Sequence, residues 1–509
     1  MRHALIAALL LGAATPAWSQ AAPAQTAPAA TPPTVEQVAA RMDETFRRYQ
    51  QEQHVPGLVW GIVRDGRLVH FGAAGRHDLE SDRPVDVDSL FRIASMSKAF
   101  TALAILKLRD DGRLRLDALA EEYVPELRNW RYPTTDTPRI RVRDLLSHVG
   151  GFVTDDPWGD RQQVLTEAEF TRMLRAGVPF TRAPQTRFEY SNFGYALLGR
   201  IVTNVSGRPY QDYIREEVMR PLGMASTGYD ISAFPRERRA IGYRWENEAH
   251  AREPDMRDGV FGSMGGVQTS ASDYARWVAF LLSAWPARDG PEQGPVRRSS
   301  VRELAQGLNF VSTQTRPGLS GGEPCRFAMA YGMGMIAAQD CDLGLVVRHS
   351  GGYPGYGSYM MLLPEHGTGV FAFSSRTYTA PGAQVMETAL ELRRAGLLVG
   401  RAIPVSEALA ANYAAAAAMF GAGSIEPGRA RLAMNFLMDR SPENWAREFA
   451  RLKGAVGECR TDAPITATGA LAGTFTWACA RGNLQGQLLL GPTNPPTIQA
   501  LRLRVAPAQ

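Results

Sequence analysis

Ser95-Met96-Ser97-Lys98 is the one Ser-x-x-Lys in a chain of 509 residues that holds only three lysines, Lys98, Lys107 and Lys453, among 56 basic residues. Arginine serves as a surface cation but keeps its proton at ordinary pH, so a scarce lysine is a candidate base. A helix beginning at Ser95 sets residues three apart on one face, where the Lys98 amine reaches the Ser95 hydroxyl. That hydroxyl is a poor nucleophile until a neighbour takes its proton, which a desolvated lysine can do. The Ser95 N–H, at the helix start, can face a developing oxyanion. Taken alone, the spacing fits an N-cap serine beside a solvated lysine equally well.

Two more groups have the right chemistry. Tyr190-Ser191-Asn192 precedes an apolar helix; a tyrosine beside a cation can relay a proton, and the Asn192 amide can orient Lys98 and a substrate. His349-Ser350-Gly351-Gly352 follows a strand, where the glycines let a substrate backbone approach and the Gly352 N–H can be a second oxyanion donor. His349 can hydrogen-bond the neighbours of the nucleophile or a substrate carboxylate, although neutral imidazole attracts anions less than lysine does. Each group alone has a bland reading: a turn-forming Asn, or a histidine ending a strand.

Together and in this order, the three groups resemble the penicillin-recognising serine hydrolases: class C β-lactamases, DD-peptidases and related esterases. Phe91-Arg92-Ile93-Ala94, Leu145 to Gly151, Gly265-Gly266-Val267 before Asp273, and the run from His349 to Pro364 add to the likeness, which spans about residues 35 to 395. The resemblance implies Ser95 as the acylated nucleophile, Lys98 as its activating partner, Tyr190 as general base or acid and Asn192 as the positioning group. It puts His349 in the place of the triplet lysine, Ser350 and Gly351 against substrate, and the Ser95 and Gly352 amides in the oxyanion hole. His349-Ser350-Gly351 departs from the Lys-Thr-Gly of β-lactamases and many DD-peptidases. The departure favours a carboxylesterase or D-amino-acid peptidase-like enzyme acting on a small ester, amide or peptide. The alternatives are a β-lactamase or DD-carboxypeptidase and, in another class, an inactive cell-wall or peptide-binding module. Catalysis of the implied kind uses no metal and no cofactor.

Rival motifs are weaker. Gly318-Leu319-Ser320-Gly321-Gly322 matches a nucleophile elbow, but Pro317 and Pro324 flank it where a strand and a helix are needed. His148 lies one helical turn after Asp144 without a second clustered histidine, so a structural hydrogen bond is its default role. No lysine follows a glycine, which excludes a phosphate-binding Gly-Lys-Ser/Thr loop. Trp158, Tyr353 and Tyr356 can line a cleft, though single aromatics more often pack.

The elements that must hold these residues have their own signals. Gly57 to Gly75 alternates around Asp65-Gly66 and predicts a hairpin. Helical spacing covers 99–110, 192–205 and 383–395, and strands are expected at 343–348, 357–363 and 369–374. The pattern predicts an α+β, β-lactamase-like fold: an antiparallel sheet built from both ends of the unit and flanked by helices, with an all-α subdomain between. The boundaries read as a signal peptide over 1–19, an Ala/Pro-rich leader over 20–33, the hydrolase unit over 34–400 and a small α+β domain over 405–509. That last domain holds an Ala-rich stretch from Ala408 to Ala418 and short strands near 473–479 and 485–490. Segments from Asp155 to Gln163 and from Pro286 to Pro324 are expected as loops.

Composition fits this reading. With 45% hydrophobic and 21% charged residues, a disordered or fibrous chain is excluded. The net charge of +5 is spread without a basic block and gives no footprint for nucleic acid. No apolar run after the leader is long enough to span a bilayer, so an exported, periplasmic protein without a transmembrane segment is expected. Of the three pairings that four cysteines permit, Cys325 with Cys341 and Cys459 with Cys479 is the favoured one in an oxidising compartment, with buried free thiols as the alternative. Oligomeric state has no signature in the sequence.

Overall fold

The computed structural model describes residues 34–154, 157–319, 321 and 323–506. The signal and leader segments, Asp155, and Ser320 of the elbow-like motif lie outside the described residues. Strands β1 (Gly57–Arg64) and β2 (Arg67–Gly75) form the hairpin expected from Asp65-Gly66. Both turn residues take positive φ, +47° and +79°, the backbone that a tight hairpin of right-twisted strands requires.

Short strands interrupt the helical middle: β3 (Phe91–Arg92), β4 (Tyr243–Glu246), β5 (Ala249–Arg252) and β6 (Gln268–Thr269), with β3 pairing β6 and β4 pairing β5. Six strands then follow: β7 (Asn309–Arg316), β8 (Cys325–Tyr331), β9 (Ile336–Asp340), β10 (Gly344–Tyr353), β11 (Tyr356–Leu363) and β12 (Thr368–Ser374). They join the hairpin in one antiparallel sheet of order β2-β1-β12-β11-β10-β9-β8-β7.

Side-chain alternation in β1 divides the core. Leu58, Trp60 and Ile62 face the helices Val35–Glu52 and Gly382–Arg394, with Trp60 stacked on Phe46 at 4.9 Å. Val59 and Val63 face the larger core of the helical middle, where Phe100 stacks on Trp277 at 3.9 Å. The helix Lys98–Asp110 runs through that core with nearly all of its side chains buried.

Two expectations are corrected. The segment read as a loop from Pro286 to Pro324 contains the helix Arg298–Leu304 and β7, an edge strand whose polar, half-exposed residues give no apolar run. His349 to Gly352 do not follow a strand; they lie inside β10, paired with Met360 to Gly357 of β11. The described residues between β7 and β8 form no helix, so the context a nucleophile elbow requires is missing.

The C-terminal β-rich domain has a separate core. Strands β13 (Cys459–Arg460), β14 (Thr466–Gly469), β15 (Ala472–Cys479), β16 (Gly482–Gly491) and β17 (Thr497–Val505) make a second antiparallel sheet. Phe475, Trp477, Leu484 and Leu488 pack against Phe420 and Phe449 of the helices Glu407–Ala422 and Pro442–Val456. Disulfides join Cys325 to Cys341 and Cys459 to Cys479. No described helix is long and apolar enough to cross a membrane.

Candidate active site

The turn carrying Ser95 is held at both ends. Ile93 donates its N–H to the Val267 carbonyl at 3.0 Å, and the Val267 N–H returns a bond to Ser97 Oγ at 3.0 Å. Between them Ala94 takes φ +50°, an unfavourable backbone for a residue with a Cβ, and the chain enters a 3-10 turn over Ala94–Ser97. The α-helix begins only at Lys98. In a 3-10 turn residues three apart eclipse, so Ser95 and Lys98 align more closely than on the α-helix expected from the sequence.

Lys98 is fully buried, and its Nζ donates to Ser95 Oγ at 3.1 Å, Asn192 Oδ1 at 2.8 Å and the Met264 carbonyl at 2.9 Å. Three acceptors match the three protons of an ammonium and offset its desolvation. The Tyr190 and Tyr195 rings lie 4.8 and 5.4 Å from the same nitrogen. Burial pushes the Tyr190 phenol above the ordinary value, and the neighbouring Ser95 hydroxyl offsets part of that rise. Asn192 opens the helix Asn192–Ser206, which Ser191 caps by accepting the Gly194 N–H at 3.1 Å.

His148 supports this corner from below. Its Nδ1 accepts the Ser191 N–H at 3.0 Å, and its ring lies 4.4 Å from those of Tyr190 and Tyr331. Asp144 is taken by Arg141 and Gln185. Burial, then the nearby Lys98, holds His148 well below the usual imidazole range.

His349 is placed differently from the expected ligand of a substrate carboxylate. It is 4% exposed, its Nδ1–H donates to the Ser350 carbonyl at 2.6 Å, and its Nε2 accepts the Tyr331 hydroxyl at 3.0 Å. Burial and the charge of Lys98 lower its pKa from 6.5 to about 4, so the ring is neutral. Ser350, by contrast, is exposed on the same strand.

The sign of the resulting pH dependence follows. Below pH 6.5 the unfolded chain protonates this histidine while the folded chain does not, so its contribution is full above 6.5 and is lost as pH falls toward 4. The loss amounts to about 3 kcal/mol for this group. His349→Gln should flatten the slope of unfolding free energy over that interval in denaturant titrations; an unchanged slope would show that the imidazole is not the group responsible.

Gly351 allows β10 to approach the Ser95 turn. A Cβ there would lie 2.2 Å from Ser358 Oγ and 2.3 Å from the Ile93 carbonyl, which are themselves bonded at 2.7 Å. Gly351→Ala should therefore cost roughly 1–3 kcal/mol of stability. It should also depress turnover by displacing Ser95. A variant with wild-type melting temperature and rate would show that the turn tolerates this shift.

Of the other aromatics considered, Tyr353 is buried beneath Arg92, whose guanidinium lies 5.1 Å from its ring, and Tyr356 donates to the Ala240 carbonyl. Trp158 packs 5.9 Å from Phe193. The Met264 carbonyl, Tyr195 and Tyr331 were not expected, because a backbone acceptor and a buried phenol leave no spacing signal. Among the described residues, the side chains close enough to share a metal ion are Cys325, Asp340 and Asp342, but the sulfur is in a disulfide and Arg316 binds both carboxylates. A recess of about 740 Å³ lies on the C-terminal sheet between residues such as Thr476, Gln485 and Arg502.

The family model described as Beta-lactamase matches residues 42–395, which include Ser95, Lys98, Tyr190, Asn192 and β10. The chain belongs to the Beta-lactamase family. Within that family, Protein flp of Staphylococcus aureus (strain NCTC 8325 / PS 47) is 28% identical over 343 residues, 66% of this chain and 62% of flp. Esterase EstB of Burkholderia gladioli is 32% identical over 265 residues, 49% of this chain and 65% of EstB. The chain thus spans less than two thirds of the length of either curated relative. Among solved structures, the octameric penicillin-binding protein homologue from Pyrococcus abyssi superposes with a TM-score of 0.57 at 21% identity, covering 91% of this chain and 99% of that one. A class C beta-lactamase gives a TM-score of 0.56 at 18% identity, covering 72% and 97%. These likenesses show a Beta-lactamase family fold.

Proposed function

We propose that the chain is an exported serine hydrolase that cleaves an ester or amide through an acyl-enzyme on Ser95. The observation carrying this reading is the fully buried Lys98 Nζ, 3.1 Å from Ser95 Oγ and 4.8 Å from the Tyr190 ring. Lys98 and Tyr190 act as a coupled pair: the ammonium and phenol of the resting site give up one proton before acylation, and the amine with phenol, or ammonium with phenolate, that remains has room for the Ser95 proton. In acylation Ser95 Oγ bonds to the substrate carbonyl carbon while its proton passes to the pair and on to the leaving alcohol or amine. In deacylation water attacks that carbon, gives its proton through the pair to Ser95 Oγ, and breaks the Ser95 ester bond. The Ser95 and Gly352 amides receive the oxyanion in both steps.

Within the class, a carboxylesterase or peptidase-like activity is favoured over efficient β-lactam hydrolysis. His349 is neutral and both of its nitrogens are engaged, so this position offers no cation to the carboxylate of a lactam. The printed name of Esterase EstB points the same way. Export is supported by the leader expected from the sequence and by two disulfides, which persist in oxidising compartments.

Intact mass after incubation with p-nitrophenyl acetate and, separately, with a penicillin and a cephalosporin, followed by peptide mapping, tests the reading. An adduct on Ser95 supports the acyl-enzyme, and the reagent that turns over separates esterase from lactamase. No adduct with any reagent, in folded protein, favours the binding-module alternative.

A further inference from the structure

His148 fastens the chain on both sides of Tyr190. Its carbonyl accepts the Glu189 N–H at 2.8 Å, and its ring Nδ1 accepts the Ser191 N–H at 3.0 Å. One residue therefore holds the two peptide groups that bracket the phenol, and its imidazole lies 4.4 Å from the Tyr190 ring. The next residue, Val149, takes the Gln185 N–H at 2.8 Å, so the segment leading into the site is bonded along its length. Asn192 is held separately, by its bond from Lys98 at 2.8 Å and by the Ser191 side chain that caps its helix.

The backbone under His148 makes histidine an unfavourable choice for packing alone. The helix Val142–Leu146 ends in the pattern that glycine serves best: the Val149 N–H returns to the Asp144 carbonyl at 2.9 Å, the His148 N–H to the Leu145 carbonyl at 3.5 Å, and His148 takes φ +59°. A side chain there is strained. It is also buried, and because Nδ1 accepts, the ring proton sits on Nε2, which meets no hydrogen-bond partner among the described residues. An apolar side chain would fill the space between Tyr190, Tyr195 and Tyr331 without that orphaned N–H. What the imidazole alone supplies is the Nδ1 acceptor. Burial and the charge of Lys98 keep the ring neutral, so Nδ1 carries no proton.

We propose that His148 is a positioning residue for acyl transfer: its Nδ1, by holding the Ser191 N–H, sets the Tyr190 phenol where it exchanges a proton with Ser95 and Lys98. The proposal rests on the acyl-hydrolase reading of Ser95. It adds no bond change to those already described, and His148 acts through Tyr190.

The test follows first-turnover acylation by p-nitrophenyl acetate over a range of ester concentration, with the Ser95 adduct identified by peptide mapping and the folded fraction taken from a thermal melt. His148→Phe keeps an aromatic ring but has no acceptor. It should slow acylation at saturating ester by roughly a hundredfold while moving the half-saturating concentration by no more than about threefold. His148→Gln, whose acceptor lies one bond further out, is the second removal variant and should behave as His148→Phe does. His148→Asn sets Oδ1 at the same bond count from Cα as Nδ1 and tolerates positive φ, so it should recover to within about tenfold of wild type. In a Tyr190→Phe background His148→Phe should cost no more than about threefold, because the group it positions is gone. A full loss in that background marks a general structural effect and overturns the proposal. So does wild-type acylation in folded His148→Phe or His148→Gln, or an Asn variant no faster than these two. If folded wild-type protein leaves Ser95 unmodified, the hydrolase reading fails and the positioning role falls with it. Acylation of wild type and all three His148 variants at equal rates defeats only the role of His148.

Discussion

Ser95→Ala protein should fold as wild type does, show no mass adduct with p-nitrophenyl acetate, and lose at least about four orders of magnitude in kcat/KM. The expectation of an intact fold comes from the half-buried position of Ser95 and from what it leaves behind. Lys98 keeps Asn192 Oδ1 and the Met264 carbonyl as acceptors, and the 3-10 turn keeps its bonds between Ile93, Ser97 and Val267. The size of the loss follows from the role of Ser95 Oγ, the hydroxyl that Lys98 Nζ meets at 3.1 Å, as the proposed nucleophile. A variant that still acquires an acyl group would have to acquire it elsewhere, and peptide mapping would name the residue. An adduct on a different serine in wild type would remove Ser95 from the mechanism.

Lys98→Arg should lose about three orders of magnitude in acylation rate while keeping its positive charge. The pocket around Nζ is closed, with acceptors at 2.8 to 3.1 Å on three sides and two tyrosine rings within 5.4 Å. A guanidinium is larger and planar and cannot return a proton at ordinary pH, so it serves neither half of the transfer. Single-turnover acylation, corrected for the folded fraction from a thermal melt, measures the effect. Wild-type acylation in this variant would mean that charge alone suffices and that Lys98 does not move a proton. Lys98→Ala complements it: partial recovery with a small added amine would show that the missing part is a base.

The hairpin was legible because Asp65-Gly66 fixes its turn within two residues, and the helices at Lys98–Asp110 and Asn192–Ser206 were legible because each buries a long apolar face. Strand β8 carried a signal that was missed: its burial alternates along Cys325–Tyr331, but the short apolar positions were submerged in a Gly/Pro-rich stretch. Glycines 351 and 352 suggested a loop, whereas the structure uses the first of them inside a strand to admit the Ile93 carbonyl. The grouping of Ser95, Lys98, Tyr190 and Asn192 was readable from order and rarity. What His349 does was not, because its state depends on Tyr331, from a strand hidden in the sequence, and on burial that no spacing encodes.

The pairing of β1 with β12 governs the order in which the molecule can be completed. The Gly57 N–H bonds the Ser375 hydroxyl, 318 residues later, and Leu58 to Arg64 lie opposite Ser374 to Thr368. During synthesis the first hairpin therefore waits, with one edge open, until almost the whole family region has been made. Such long-range closure slows folding, because the entropy of ordering the intervening chain is spent before the sheet rewards it. The same delay exposes a β edge to other chains, so yield during overproduction should depend on how quickly residues 368–374 arrive and dock.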